Sequence, residues 1–204
     1  MAGEIEIGGR FGRLYQMLDW AYRLAVVNFL WIAGVLAGLV IAGLAPATVA
    51  GSWLLLEYCR GNRPRPWHGF WRQWRDWFLP AQLSLGVPLA TVFVLGFYLV
   101  TAASQAALEF RAAAVSLAIL SAAYLATLSY LPAVLCHVGL GPVAAWRTTV
   151  LAAWRQPVIT LALLVAQALL VVGMAVVLPA ALPFFAYSGP ALLATRAALR
   201  AFGR

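Results

Sequence analysis

Long apolar runs separated by short polar stretches dominate this chain, and this pattern predicts membrane helices. Runs of about 20 apolar residues, at about 1.5 Å per residue, are long enough to cross a hydrocarbon core of about 30 Å. Two further runs are shorter and are interrupted or bounded by proline. We therefore predict an all-α polytopic transmembrane bundle of five to six segments within a single transmembrane domain, residues 1–204. The predicted segments are residues 24–44, 46–59, 81–101, 112–136, 157–178 and 184–199.

The one long polar interruption, residues 60–79, has the pattern of a helix that lies in the membrane interface. Winding residues 67–78 as a helix places the aromatic side chains within an arc of roughly 120° and the arginines on the opposite face. Tryptophan and arginine are typical of the boundary between hydrocarbon and headgroups. A second interfacial helix is predicted at residues 143–154. The residues predicted to lie at the interface are Trp67, Trp71, Arg72, Trp74, Arg75, Trp77, Trp146, Arg147 and Trp154.

Composition and charge support a membrane protein and exclude a nucleic-acid binder. The chain is 64% hydrophobic and 10% charged, with a net charge of +8, whereas about a quarter of residues are charged in soluble domains. The basic residues are scattered between apolar runs, so no compact basic domain exists to bind a phosphate backbone. Under the positive-inside rule, their distribution predicts a multi-pass protein with both termini in the cytoplasm. A five-span arrangement, in which 46–59 does not cross, remains an alternative.

All fourteen basic residues are arginine. With the abundance of alanine, leucine and valine, this bias is typical of a GC-rich bacterial genome. For a multi-pass helical protein of such an organism, we predict a location in the bacterial inner (plasma) membrane.

Small residues recur every four positions in the first predicted span. They are Gly34, Gly38 and Ala42, followed past its end by Pro46. Small residues at this spacing let a second helix approach closely, so we predict a helix-packing role for these four positions. Pro46 lacks a backbone amide, and the sequence around it predicts the break between the first two segments.

Ionisable side chains are nearly absent from the middle of the predicted spans, which disfavours an enzyme or a proton-coupled pump. The most notable buried polar residues are Asn28, Gln82 and Gln167, and together they could form a polar cavity. The default role of Gln167 is an interhelical hydrogen bond of roughly 1 kcal/mol. No catalytic residue, cofactor or metal site is predicted.

Two cysteines and two histidines are the remaining candidates for chemistry: Cys59, His68, Cys136 and His137. Their spacing matches no zinc pattern, because it contains neither a Cys-x-x-Cys pair nor two histidines at helical spacing. A membrane enzyme would require these side chains to cluster within about 5 Å, where a nucleophile and its activating group can meet.

Several short motifs resemble one family of bacterial membrane proteins. They are residues 28–31 (Asn-Phe-Leu-Trp), 45–48 (Ala-Pro-Ala-Thr), 70–72 (Phe-Trp-Arg), 130–132 (Tyr-Leu-Pro) and 156–157 (Gln-Pro). On these residues the chain resembles the YesL-like family of integral membrane proteins, a domain of unknown function. It departs from the family pattern at Gln156, where the family has asparagine, and at the turn, where only the second part of the motif is kept.

The resemblance implies a role for the protein but no catalytic reaction. Genes of the family commonly neighbour carbohydrate ABC importers, so the implied role is a non-enzymatic accessory subunit of such an importer. The alternative is a stand-alone carrier or channel for a small neutral solute, and a membrane enzyme is a third, disfavoured hypothesis. The expected partners are membrane lipid and either an ABC importer permease or a second copy of this chain.

Overall fold

The computed structural model describes residues 10–105, 107–138 and 141–202, and every regular element in these ranges is helical. The predicted all-α fold is confirmed. The elements are α1 (Arg10–Ala37), α2 (Ile41–Cys59), α3 (Pro66–Asp76), α4 (Phe78–Ala81), a π-helical turn (Gln82–Gly86), α5 (Val87–Ala103), α6 (Leu108–Leu128), α7 (Leu131–Val138), α8 (Pro142–Arg155), α9 (Pro157–Val177), a 3-10 turn (Pro179–Ala181), α10 (Leu182–Phe185) and α11 (Ser188–Phe202).

Four helical stretches are long and apolar enough to cross a membrane, judged by length and composition. Between 11% and 22% of each stretch is buried inside the bundle, as expected for helices whose outer faces meet lipid. The number differs from the five to six segments expected, because the two short segments fold differently from the other four. The four stretches are Leu14–Ala37, Phe78–Ala103, Leu108–Cys136 and Pro157–Val177.

Helix α2 contains the first short segment, residues 46–59, and forms the centre of the fold. It packs against α1, α3, α7 and α11, and Val49, Leu54 and Leu55 have no exposed surface. Its 19 residues cover about 28 Å at the usual helical rise. Because neighbouring helices cover α2, it does not need the uniformly apolar surface of a helix that faces lipid.

The break between α1 and α2 lies at residues 38–40 rather than at the predicted position near Pro46. Leu39 and Val40 have φ angles of 54° and 67°, in the left-handed region that side chains rarely adopt. Pro46 lies inside α2 without ending it. The first span is therefore shorter than the predicted 24–44 at its end, and the second helix starts earlier.

The second short segment, residues 184–199, corresponds to α10 and α11, which pack against α1, α2 and α9. Near the C-terminal end of α11, the guanidinium of Arg196 lies 5.1 Å from the Trp20 ring of α1. Arg23 lies 5.2 Å from the ring of Tyr58, at the end of α2. We call this part of the bundle, where Trp20, Tyr58 and Arg196 meet, the arginine-rich end.

Candidate functional site

Asn28 bridges a gap in the helical hydrogen bonding between α10 and α11. Its Nδ2 donates to the carbonyl of Pro183 at 2.7 Å, and its Oδ1 accepts from the amides of Tyr187 at 2.9 Å and Ser188 at 3.2 Å. In an uninterrupted helix the Tyr187 amide would donate to the Pro183 carbonyl. The side chain of Asn28, which is 1% exposed, therefore stands between the two halves of a missing backbone bond.

Gln82 donates a hydrogen bond to the backbone of α2 at a second position where a helical hydrogen bond is missing. Its Nε2 donates to the carbonyl of Ala42, which in a regular helix would accept from the amide four residues later. That position is Pro46, which has no amide hydrogen. Gln82, at the start of the π-helical turn, thus replaces the donor that Pro46 lacks and joins this turn to α2.

Gln167 joins α9 to α11 and to the junction of α6 and α7. Its Nε2 donates to the carbonyl of Pro190 at 3.0 Å, and its Oε1 accepts from the hydroxyl of Ser129 at 3.1 Å. The three amides predicted to share a cavity thus lie at three separate places. Each of the three donates to a backbone carbonyl that belongs to a proline or lies four residues before one.

A polar network around Tyr187 connects α1, α2 and the start of α11. The Tyr187 hydroxyl donates to the Thr48 carbonyl at 2.8 Å and lies 3.1 Å from the hydroxyl of Ser52. Its ring stacks on Trp31, with centroids 4.7 Å apart and planes 7° apart, and Trp31 Nε1 donates to Thr48 Oγ1 at 3.1 Å. Sequence reasoning missed this network, although Trp31 and Thr48 both lie in motifs that suggested the family.

A cavity of about 240 Å³ adjoins this network. Of the three predicted amides only Gln167 lines it. Most of its polar atoms already have partners within the chain: Thr195 donates to the carbonyl of Ala191, and the carbonyl of Leu125 and the Oε1 of Gln167 share the one proton of the Ser129 hydroxyl. The cavity therefore offers few free donors to a polar solute. Its polar lining residues are Thr48, Ser52, Ser129, Gln167, Tyr187 and Thr195.

Helix α3 carries the first predicted interfacial segment and is fixed to the α1–α2 hairpin by its inner side. Phe70 is fully buried, and Trp74 Nε1 donates to the carbonyl of Gly34 at 3.2 Å. The outer side carries the charges and one largely exposed ring, Trp67, at 62%. Its position in a membrane interface stays a prediction. Trp71, Trp74 and, just past the helix, Trp77 are half-buried, and Arg72 and Arg75 are exposed.

The second predicted interfacial segment, residues 143–154, lies on α8. Trp146 is half-buried and stacks on Tyr124 of α6, with ring centroids 5.9 Å apart. Arg147 is exposed, and Trp154 is 62% exposed. One tryptophan thus fixes α8 to the bundle while the other faces outward.

The small-residue stripe lies inside the fold. A Cβ atom built on Gly34 would lie 2.9 Å from the Phe70 ring, and one built on Gly38 would lie 2.2 Å from the Cα atom of Gly43. Ala42 and Pro46 follow in α2, half-buried and buried. The close approach of this stripe is therefore to α2 and α3 of the same chain, and the stripe is not open to a partner.

The cysteines and histidines do not form one cluster. Cys136 Sγ donates to the carbonyl of Val49 at 3.4 Å, whereas Cys59 is ten residues further along α2, about 15 Å away by the helical rise. His68 is exposed on α3, and the side chain of His137 lies outside the described residues. Within the described ranges no three metal-capable side chains come together.

A groove of about 400 Å³ lies between α6, α8 and α9. We call it the α6–α9 groove. Ile119, Trp154 and Leu161, at its sides, are each more than 60% exposed, so the groove opens on the outside of the bundle. It is lined by Ile119, Ala122, Ala123, Ala126, Thr127, Ala153, Trp154, Pro157, Thr160, Leu161 and Leu164.

We expect Gln82→Leu to lower the free energy of unfolding by about 1–3 kcal/mol, because it leaves the Ala42 carbonyl without a donor. In a Pro46→Ala background residue 46 supplies the missing amide, so the effect of Gln82→Leu should shrink. Thermal unfolding of the four proteins in detergent gives the coupling as a double-mutant cycle. Gln156→Leu, at an exposed glutamine, is the control. Additive effects at residues 46 and 82 would contradict the pairing.

Comparisons with known proteins show that part of the chain is similar to one family. A family model described as "Protein of unknown function, DUF624" matches residues 24–101. The uncharacterized protein YesL of Bacillus subtilis strain 168 is 39% identical over 83 residues, which is 40% of this chain and 40% of YesL. The uncharacterized protein YteU of the same strain is 32% identical over 92 residues, 45% of this chain and 41% of YteU.

These matches leave most of each relative uncovered, since the chain spans about two fifths of the length of YesL and YteU. No solved structure matches the chain. The matched region runs from α1 to α5 and includes Asn28, Pro46 and Gln82. Over residues 24–101, this chain is therefore similar to the YesL-like family, whose function is unknown.

Proposed function

We propose that this chain is a non-enzymatic accessory subunit that packs within the bacterial inner membrane against a carbohydrate ABC importer. The observation that carries the proposal is the α6–α9 groove, which opens on the outside of the bundle. Four alanines line it, and the two that are partly exposed lie on α6, so a partner helix could approach the backbone of α6 closely. The four are Ala122, Ala123, Ala126 and Ala153.

Small residues favour helix association in a membrane because they allow close backbone approach, and packing replaces the hydrophobic effect as the driving force there. The stripe at Gly34 and Gly38 has the same composition, but it packs against α2 and α3 of this chain. The α6–α9 groove is a comparable surface in which no helix of the described part of the chain lies. We therefore assign the partner helix to the groove.

The choice of partner rests on the family resemblance, which implies a functional link to carbohydrate ABC importers. In this assignment both termini face the cytoplasm, as the positive-inside rule predicts. The groove then presents its alanines sideways in the membrane, where a permease helix would pack.

The alternative is a carrier or channel for a small neutral solute, and the cavity beside Tyr187 is the observation in its favour. Its volume of about 240 Å³ would hold a small solute. Against this, Asn28 and Gln82 do not line it, and each donates to a backbone carbonyl elsewhere. The accessory role therefore has the stronger support.

The test is a pull-down of the tagged chain from its native membrane in a gentle detergent, with the co-purifying proteins identified by mass spectrometry. We expect stoichiometric recovery of an ABC permease and its ATPase. Ala123→Phe fills the groove and should lose them. Ala118→Phe, at an exposed position of the same helix outside the groove, should retain them.

Two results would contradict the proposal. Recovery of the wild-type chain alone, as a monomer or a homo-oligomer, would favour the carrier and make solute-uptake assays the next experiment. Recovery of the importer by both variants would remove the groove as the contact surface.

A further inference from the structure

A separate cavity of about 260 Å³ lies at the arginine-rich end. Trp20 of α1 and Cys59 of α2 form one side of it, and Arg196, Leu199 and Arg200 of α11 form the other. Arg196 and Arg200 are four residues apart, so both guanidiniums lie on the same face of α11. The cavity brings together three segments that are far apart in the sequence.

The charges around this cavity are unbalanced. Arg23, which approaches from α1, is paired with Asp19 at 2.6 Å, and Glu57 of α2 is paired with Arg60. Among the described residues no carboxylate pairs with Arg196 or Arg200. The cavity therefore carries two positive charges that the described part of the chain does not neutralise.

The Trp20 ring holds the first of these arginines in place. The guanidinium of Arg196 lies 5.1 Å from the ring centroid, and that of Arg23 lies 5.6 Å from it. A cation–π contact positions a guanidinium without using its N–H donors, and the one hydrogen bond that Arg196 makes to the side chain of Cys59 leaves other donors of its five free. Those donors form a planar fork that matches two oxygens of a phosphate group.

The depth of the cavity suits a lipid headgroup as the source of phosphate. Trp20 lies four residues before residue 24, where the first predicted span begins, about 6 Å along the helix, which is on the headgroup side of the boundary with the hydrocarbon. Basic pockets between helices at such a boundary bind anionic headgroups. Inorganic phosphate or a soluble phosphate ester presents the same oxygens.

We propose that this cavity binds a phosphate group, with Arg196 and Arg200 as donors and the Trp20 ring as its wall. The site is independent of the importer proposal, because it lies on α1, α2 and α11 rather than at the α6–α9 groove.

The experiment compares wild type with Arg196→Gln/Arg200→Gln in phosphatidylcholine nanodiscs that contain increasing fractions of phosphatidylglycerol. Native mass spectrometry counts the phosphatidylglycerol retained by the released protein. We expect the double variant to bind about thirtyfold more weakly, because each arginine near an anionic surface contributes about fivefold. The control, Arg147→Gln/Arg155→Gln, removes the same charge from two exposed arginines of α8 and should bind like wild type.

A second arm identifies the source of the phosphate. Thermal stability is measured in a neutral detergent with inorganic phosphate and with sodium chloride at equal ionic strength. Retention of phosphatidylglycerol that depends on the arginine pair supports a lipid headgroup. Stabilisation by inorganic phosphate that depends on the same pair supports a soluble phosphate. Equal behaviour of wild type and the double variant in both arms overturns the proposal.

Two further variants keep the test decisive if the glutamine variant does not fold. Arg196→Lys/Arg200→Lys keeps both charges but loses the planar fork, and it should bind more weakly than wild type but better than glutamine. Cys59→Phe keeps both arginines and fills the cavity, so it should abolish binding. Wild-type binding by a folded Cys59→Phe protein would overturn the proposal.

Discussion

Replacing Asn28 with leucine is expected to lower the free energy of unfolding by about 3 kcal/mol or more. The substitution keeps the number and branching of the side-chain heavy atoms but removes one donor group and one acceptor, which together make three hydrogen bonds. It leaves the Pro183 carbonyl and the Tyr187 amide unpaired in a buried place, and each such group costs about 1–3 kcal/mol. Thermal unfolding in detergent, followed by the loss of helical circular dichroism, measures the change.

The matched control for this variant is Asn62→Leu. Asn62 is exposed and its Nδ2 donates to Glu57 at 2.6 Å, so water can replace the lost bond and the change should stay within about 0.5 kcal/mol. Similar unfolding temperatures for Asn28→Leu and wild type would show that the start of α11 does not depend on Asn28.

Asn28 also shows where sequence reasoning reaches its limit. The rarity of polar residues in the apolar runs was enough to select Asn28, Gln82 and Gln167 as side chains with a role inside the bundle. Their partners were not predictable, because the acceptor of Asn28 is 155 residues away and is a backbone carbonyl, which leaves no trace in the pattern of side chains. The carrier hypothesis required these three amides to share a cavity, whereas in the fold each one binds a different backbone carbonyl.

Pro46 gives a second example with a different cause. A proline inside an apolar run predicts the end of a helix, since it removes one donor and crowds the preceding turn. In this fold Gln82 supplies the missing donor from another segment, so α2 continues through Pro46, and the chain instead turns at Leu39 and Val40. The rule that proline ends a helix failed here because the hydrogen bond from Gln82 replaces the one that Pro46 cannot make.

The four long apolar stretches were predictable for the opposite reason. Length and hydropathy are properties of the segment itself, and a helix that faces lipid must be apolar over most of its surface. Helix α2 has no such requirement, because α1, α3, α7 and α11 cover it. The span count was therefore the part of the architecture that the apolar pattern predicted least well.

The second large effect is expected at Gly38. A Cβ atom there would lie 2.2 Å from the Cα atom and 2.3 Å from the amide nitrogen of Gly43, and backbone atoms cannot rotate away as a side chain can. Gly38→Leu should therefore force α1 and α2 apart at their junction and lower the free energy of unfolding by about 3 kcal/mol or more, at or above the upper end of overpacking effects. The loss is measured by the amount of folded protein that elutes from size-exclusion chromatography in detergent and by the thermal unfolding temperature.

Gly34 separates this explanation from a general intolerance of larger residues in α1. A Cβ atom at residue 34 would lie 2.9 Å from the ring of Phe70. A smaller side chain at residue 70 would remove this clash. Gly34→Ala should therefore destabilise the protein, and Phe70→Leu should recover part of that loss, whereas Phe70→Leu should not rescue Gly38→Leu. Gly96→Leu, where no atom lies within 4 Å of the new Cβ, should unfold like wild type. If Gly38→Leu also unfolds like wild type, the close approach of α1 and α2 does not hold the hairpin together. In that case the stripe would again be a candidate surface for a partner helix.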